Sequence, residues 1–176
     1  MNSLERKSLF GLAALYAFRM LGLFMLLPVL SLYADQYFGN TTILIGVALG
    51  IYGLTQGLFQ IPLGFLSDRI GRKPVIFAGM LVFFCGSVLA AMSDSMWELI
   101  AGRALQGVGA VASTIMALLS DLTTEQNRTK AMAVIGGSIG VAFAISMIAG
   151  PILANLWGLS GLFWLTAGLA ICGMLI

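Results

Sequence analysis

The chain has 176 residues, of which 60% are hydrophobic and only 9% are charged, and its formal net charge is +2. A soluble globular domain carries about 25% charged residues, and one of this size could not hide so much apolar surface from water. The composition therefore excludes an ordinary soluble domain and predicts a chain that lies in lipid. The absence of histidine argues against a His-ligated metal site, a Ser-His-Asp triad or a histidine proton relay.

Apolar runs follow one another along the chain, most of them close to the roughly 20 residues that a helix needs to cross a bilayer. They cover residues 9–33, 43–66, 74–92, 96–120, 130–155 and 159–176. The loops between them are too short for another domain. We therefore expect an all-α fold, a polytopic membrane domain of six transmembrane helices over residues 1–176. The last run is still apolar at Ile176, which is typical of a truncated chain.

The basic residues outside these runs predict the orientation of the domain. If the N-terminus is cytoplasmic, the inner segments hold seven of the nine bases and the outer loops hold none. This is a strong positive-inside bias and favours a cytoplasmic N-terminus. The inner bases are Arg6, Lys7, Arg69, Arg72, Lys73, Arg128 and Lys130.

The turn after the second run, GFLSDRIGRKP, holds an acid among three bases. Asp68 precedes Arg72 by four residues, so the two can pair, and Asp121 at the inner end of the fourth run is within reach of the same bases. Gly71 suits a turn with positive φ, and Gly64 lets a neighbouring helix approach. Topology alone explains the bases but not the acid or the glycines. The candidate conformational switch comprises Gly64, Asp68, Arg69, Gly71, Arg72, Lys73 and Asp121.

Two arginines, Arg19 and Arg103, fall inside predicted spans, where a charge is costly and should face the bundle interior or a wet cavity. Arg103 is either structural, bonded to backbone carbonyls of the first helix, or coupled to a proton on a nearby acid. Arg19 is a second candidate for coupling, and its structural alternative is snorkelling to the inner headgroups.

Polar and aromatic side chains at membrane depth are candidates for a substrate cavity. The glutamines serve either as substrate ligands or as interhelical hydrogen-bonding groups, and the aromatic residues either line a cavity or simply pack. The candidates are Tyr16, Phe24, Tyr52, Gln56, Gln60 and Gln106.

Small residues form one face of the second run and recur in the fifth. Such a face allows close helix packing, either within the bundle or with another half or chain. Its members are Gly46, Gly50, Gly53 and Gly57 in the second run, and Gly136 and Gly140 in the fifth.

Three segments resemble motifs of the major facilitator superfamily: GFLSDRIGRKP, GRALQGVGA at 102–110, and SMIAGPILAN at 146–155. The resemblance implies the N-terminal half of a transporter, built as a 3+3 inverted repeat, with the C-terminal half absent. It implies that Asp68, Arg72 and Asp121 form a cluster that locks the inner helix ends, and that Arg103 couples transport to protons. It also places the glycine faces, with Gly150 and Pro151, against the opposite half.

The function implied by the resemblance is secondary active transport, with proton-coupled export of amphipathic or drug-like compounds by alternating access. The energy source is a proton gradient rather than a cofactor, and the location is the bacterial inner membrane. Ser146 stands where the third motif has Gly, which leaves antiport and symport both open. Expected partners are the bilayer, a small-molecule substrate, and a C-terminal half or a homodimer partner, but not nucleic acid.

Two alternatives remain beside this interpretation. The first is a uniporter or symporter of a small polar solute, and the second is a non-transporting half-length fragment or subunit. An enzyme is not expected, because the sequence holds no nucleophile and base pair, metal cluster or phosphate-binding loop.

Overall fold

The computed structural model describes residues 3–109 and 111–176, and these are helical almost throughout, with no named strand among them. The helices are α1 (Ser3–Tyr33), α2 (Thr42–Ile70), α3 (Arg72–Ala91), α4 (Met96–Val108), α5 (Ala112–Leu122) and α6 (Glu125–Met174), and a short 3-10 turn (Ala34–Gln36) follows α1. Five helical stretches, one of them α4 and α5 together, are long and apolar enough to cross a membrane.

The long helix α6 contains a reversal of the chain at Gly158, whose φ of 68° and ψ of −175° are not helical. Before it, α6 runs alongside α1 in the same direction, and Ser146 donates to the carbonyl of Leu21. After it, the chain returns along α1, and Thr166 donates to the carbonyl of Gly22. The chain therefore crosses the bundle six times, and the predicted all-α membrane fold is confirmed.

Local sequence sets the helix limits. Ser95 and Glu98 form a reciprocal capping box at the start of α4, with each side chain accepting from the other residue's backbone N–H at 3.3 Å. Gly71, at φ 101°, makes the sharp turn between α2 and α3. Helix α1 starts at Ser3 and α6 at Glu125, both before the apolar runs of the sequence, because polar first turns continue these helices beyond the hydrocarbon layer.

Close helix contacts bring polar side chains of α2, α3 and α4 together inside the bundle. A Cβ on Gly102 of α4 would lie 2.7 Å from the backbone nitrogen of Ala90 in α3. A Cβ on Gly86 of α3 would lie 2.8 Å from the carbonyl oxygen of Gly102. Only glycine permits these approaches, and they place the α3 and α4 side chains within hydrogen-bonding distance.

The two ends of the bundle differ in charge. At one end, which we call the basic end, lie the starts of α1, α3 and α6 and the ends of α2 and α5. Its bases are Arg6, Lys7, Arg69, Arg72, Lys73, Arg128 and Lys130. At the other end the Phe38 N–H donates to the Asp94 carbonyl, and the Met96 N–H donates to the Phe38 carbonyl, both at 3.1 Å.

Candidate functional site

One guanidinium at the basic end joins three helices. Arg72, at the start of α3, forms an ion pair with Asp68 near the end of α2. Its Nε lies 3.2 Å from Oδ2 of Asp121 at the end of α5. Its Nη1 also donates to the hydroxyl of Ser67 at 2.7 Å, and that hydroxyl donates to the Gly64 carbonyl. We call Ser67, Asp68, Arg72 and Asp121 the Arg72 cluster.

The other members of the candidate switch have separate positions. Gly64 faces Ser113 of α5, whose hydroxyl donates to the Gln60 carbonyl, so α2 and α5 lie close there. Arg69 and Lys73 are exposed, and neither forms an ion pair with a carboxylate in the described chain. The structure thus brings together Asp68, Arg72 and Asp121, whereas their role as a switch stays a prediction.

Arg103 is only 1% exposed and lies in the middle of the bundle. Its Nε donates to the Ala48 carbonyl of α2 at 3.3 Å, and its Nη1 donates to Oε1 of Gln106 at 2.9 Å. Its guanidinium carbon lies 4.9 Å from the ring centroid of Tyr52. Gln106 in turn donates to the Ser87 hydroxyl of α3 at 2.8 Å. The backbone partner belongs to α2, not to the first helix as the structural alternative assumed.

Arg19 is completely buried, which rules out snorkelling to the headgroups in this arrangement. Its Nη2 donates to the Tyr52 hydroxyl at 3.0 Å, and its guanidinium carbon lies 5.4 Å from the Phe83 ring centroid. Its Nε and Nη1 have no hydrogen-bond partner among the described residues. Tyr52 therefore connects the two arginines, because its hydroxyl binds one and its ring face meets the other.

We call Arg19, Tyr52, Ser87, Arg103 and Gln106 the arginine network. Neither arginine forms an ion pair with any carboxylate in the described part of the chain. All the acids of the sequence lie near helix ends or in connections: Glu5, Asp35, Asp68, Asp94, Glu98, Asp121 and Glu125. Two positive charges are thus held in an apolar interior by neutral dipoles and aromatic rings, an arrangement that favours an additional negative group.

The six candidate cavity residues do not act as one group. Tyr52 and Gln106 belong to the arginine network, and Gln106 serves as an interhelical hydrogen-bonding group. Phe24 packs edge-to-face on Phe143, with ring centroids 5.2 Å apart, and Tyr16 is buried in the apolar core. Gln56 and Gln60 are partly buried, and Oε1 of Gln56 has no partner among the described residues.

The glycine faces of α2 and α6 are exposed. A Cβ added at any of these glycines would meet no described atom within 4 Å, so they do not serve packing inside this bundle. They are Gly46, Gly50, Gly53, Gly57, Gly136 and Gly140.

Gly150 does not belong to that exposed face. A Cβ there would lie 2.7 Å from the Met25 carbonyl oxygen, so Gly150 packs against α1 and its predicted place in the interface is wrong. Helical rotation over the residues from Gly140 to Gly150 turns the second glycine away from the face of the first. Pro151, the next residue, is exposed.

Sequence reasoning missed Ser67, Ser87 and the bridging role of Tyr52. A hydroxyl or phenol in an apolar run is common, and its partner becomes known only when neighbouring helices are placed. The buried arginines themselves were the available signal, since each requires acceptors nearby.

Residues 12–176 match the Major Facilitator Superfamily, and the chain belongs to that superfamily. Over 170 residues it is 59% identical to the inner membrane transport protein YajR of Escherichia coli (strain K12), an alignment that covers 97% of this chain and 37% of YajR. It is 32% identical over 141 residues to the tetracycline resistance protein, class H, of Pasteurella multocida, covering 78% of this chain and 34% of that protein. The chain therefore spans less than half the length of these relatives.

A solved structure confirms the fold. The POT family transporter PepTSo superposes with a TM-score of 0.82 over 96% of this chain and 36% of PepTSo. The sequence identity is 14%, so the likeness concerns the fold alone. The predicted membership of the superfamily is confirmed, and the chain is a membrane domain of a transporter family.

Proposed function

We propose that the chain forms part of a secondary active transporter that exports amphipathic, drug-like compounds in exchange for protons by alternating access. Its location is the bacterial inner membrane, with the basic end on the cytoplasmic side. The observation that carries this proposal is the arginine network, which holds two guanidinium groups inside the bundle without an ion-paired carboxylate in the described chain.

The buried guanidinium groups of Arg19 and Arg103 have no ion-paired carboxylate in the described chain, and this supports coupling of transport to protons. A carboxylate brought close to Arg19 or Arg103 is stabilised in its ionised form, and the same carboxylate moved away in an apolar site takes up a proton. Because no described acid fills this role, the carboxylate comes from the remainder of the transporter or from the substrate. Alternating access then changes its distance from the guanidinium groups and so its proton affinity.

The Arg72 cluster supports two discrete conformations. One guanidinium ties the end of α2 to the end of α5, so separation of these ends must break an ion pair. Both acids are more than half exposed, at 55% and 57%, and such pairs contribute about 0–1 kcal/mol. A contribution of this size biases two states without excluding either, because states a few kcal/mol apart stay populated.

The substrate class is supported by a relative. One similar protein is named for tetracycline resistance, which agrees with export of a drug-like compound. A small polar solute is the second candidate, favoured by Gln56 Oε1 and the Nε and Nη1 of Arg19, which have no partner among the described residues.

Reconstitution in vesicles tests coupling. With this chain reconstituted together with the remainder of its transporter, we expect uptake of a fluorescent amphipathic dye only under an imposed pH gradient, and no gradient-driven uptake by Arg103→Gln. Lys130→Gln, which removes an exposed base from α6, is the matched control and should transport normally. Gradient-driven uptake by Arg103→Gln equal to that of the wild type would contradict the proposal.

The exposed glycine faces support a partner, either a C-terminal half or a second copy of the chain. Cysteines at Gly50 and Gly140, in a background without the exposed Cys85 and Cys172, should form crosslinks in membranes. A cysteine at the exposed Leu81 of α3 is the control and should not. Equal crosslinking at all three positions would indicate random collisions, and no crosslinks at all would rule out a second copy of the chain as the partner on these faces.

A further inference from the structure

A groove opens at the basic end between α1, α3, α5 and the end of α6. It consists of two adjoining cavities of about 300 Å³ and about 450 Å³. Both are lined by Leu12, Leu15, Lys73, Leu118 and Ile176. The groove is separate from the arginine network, none of whose members lines it.

The walls of the groove are apolar and follow one face of α3. Lys73, Ile76, Phe77 and Met80 line the smaller cavity at helical spacing, so they lie one above the other. At 1.5 Å per residue this face runs about 10 Å from Lys73 toward the middle of the bundle, where Met80 is completely buried, and Ile76 is nearly so. Phe77 is 56% exposed, which opens the groove to the surroundings of the bundle. These dimensions and this surface suit a hydrocarbon chain.

Two lysines, Lys7 and Lys73, line the larger cavity at the basic end. Both are exposed, and neither forms an ion pair with a carboxylate in the described chain. Asp68 and Asp121 both pair with Arg72 instead. The groove thus combines positive charge at its mouth with an apolar floor.

A hydrogen-bonded contact fixes the start of α1 beside this mouth. The Glu5 carboxylate accepts from the backbone N–H of Thr124 at 3.0 Å and from the side-chain amide of Asn127 at 3.3 Å. Two residues further on, Lys7 is therefore held at the groove. A third cavity, of about 540 Å³, is lined by Arg6, Lys7 and Phe10 and adds another base on the same side.

We propose that this groove binds an anionic phospholipid, with its phosphate beside Lys7 and Lys73 and one acyl chain against Leu12, Phe77 and Leu118, the accessible apolar side chains of its walls. The headgroup charge distinguishes an anionic lipid from a zwitterionic one, whose own cation would face the lysines. A basic residue near a membrane surface contributes about a fivefold gain in affinity for anionic lipid. The inference does not depend on the transported substrate or on the direction of transport.

The test measures which lipid stays bound to the purified chain. The protein is reconstituted in vesicles of phosphatidylcholine and phosphatidylglycerol, extracted in mild detergent, and weighed with its bound lipids by native mass spectrometry. We expect preferential retention of phosphatidylglycerol. Lys7→Gln combined with Lys73→Gln should weaken retention on the order of 10- to 30-fold. Arg128→Gln combined with Lys130→Gln removes the same charge from the same end, outside the groove, and should leave retention nearly unchanged.

A second pair of variants tests the apolar part without a change of charge. Leu118→Trp fills the groove, and Phe77→Ala removes part of its exposed wall. Both should lose phosphatidylglycerol, and thermal unfolding in detergent checks that each is folded.

Four outcomes would overturn the proposal. Equal loss in the Arg128 and Lys130 control would mean general surface attraction, and equal retention of phosphatidylcholine would mean no headgroup recognition. Displacement of the lipid by inorganic phosphate would mean an ion site only. Loss of retention when the remainder of the proposed transporter is present beside this chain would mean that protein, not lipid, occupies the groove.

Discussion

The Arg72 cluster and the arginine network use the same chemical group in opposite ways. At the basic end, one guanidinium is shared by two exposed carboxylates and a hydroxyl. Inside the bundle, two guanidiniums share a tyrosine, a glutamine and a backbone carbonyl, with no ion-paired acid in the described chain. The exposed cluster gives its one positive charge two carboxylate partners and is cheap to break, whereas the buried network holds two positive charges with no paired carboxylate in the described chain and is costly to hold. We therefore expect the cluster to set which conformation forms and the network to respond to charge.

The largest expected effect follows from Arg103. Arg103→Lys should abolish gradient-driven uptake as fully as Arg103→Gln, while substrate binding changes much less, because one ammonium cannot bind Ala48, Gln106 and the Tyr52 ring together. Uptake under a pH gradient and equilibrium binding are measured separately. Normal pH-dependent uptake by Arg103→Lys would show that only a positive charge is required.

The stability of Arg103→Gln tests whether the arginine network, unlike the Arg72 cluster, has no paired carboxylate. Removing one residue of a buried ion pair usually costs about 3–5 kcal/mol, because its partner is left as an unpaired charge inside the protein. Arg103 has no such acid in the described chain, so Arg103→Gln should lower the free energy of unfolding by clearly less than that. Thermal unfolding in detergent checks this, and a loss in the range of a broken ion pair would indicate a carboxylate partner.

The next largest effect concerns the Arg72 cluster. Asp68→Asn and Arg72→Ala should greatly reduce transport, while the free energy of unfolding changes by no more than about 1 kcal/mol, because the pairs are exposed. Flux is compared at equal amounts of inserted protein. Arg128→Gln, which removes an exposed base from the same end and lies outside the ion pairs, is the control. Wild-type flux in both cluster variants would leave these residues a topological role only.

Much of the Arg72 cluster could be predicted from the sequence, whereas much of the arginine network could not. Asp68 and Arg72 are four residues apart on either side of a glycine turn, so local geometry alone predicts their pairing. Tyr52 meets Arg103 where Gly107 lets α2 and α4 approach closely. Ser87 meets Gln106 where Gly86 and Gly102 do the same for α3 and α4. That register cannot be predicted from the sequence of a single helix.

Glycine spacing shows the same limit. It correctly identifies which residues share a face of one helix, but not which neighbour that face meets. Gly140 is exposed, whereas Gly150 of the same helix packs on Met25. The six-helix architecture was predictable because apolar length is a property of each segment alone, and the break between the last two apolar runs, at 155–159, brackets the turn at Gly158.

Two hydroxyls accept a hydrogen bond from a guanidinium, one inside the bundle and one at the basic end, and Tyr52→Phe removes the first of them. It removes the only described acceptor of the buried Arg19 guanidinium and keeps the ring beneath Arg103. A hydrogen bond to a charged group contributes about 1.5–3 kcal/mol, and we expect a loss of that size in the free energy of unfolding. Tyr37→Phe, at a buried tyrosine far from both arginines, is the control for a lost phenol group. Equal losses in the two variants would mean that the Arg19 bond is not special.

Ser67→Ala removes the second of these hydroxyls, the one at the basic end, and has the smallest expected effect. The Ser67 hydroxyl also accepts from a guanidinium, that of Arg72, at 2.7 Å. Unlike Arg19, Arg72 keeps two carboxylate partners when the hydroxyl is removed, and its side chain is 23% exposed, so water can replace the lost acceptor. We expect a loss of about 0.5–1 kcal/mol, below that of Tyr52→Phe, with transport largely retained. Both variants are measured by thermal unfolding under the same conditions. A loss for Ser67→Ala as large as that for Tyr52→Phe would mean that burial and missing counter-charge do not separate the two regions, and the contrast between them would fail.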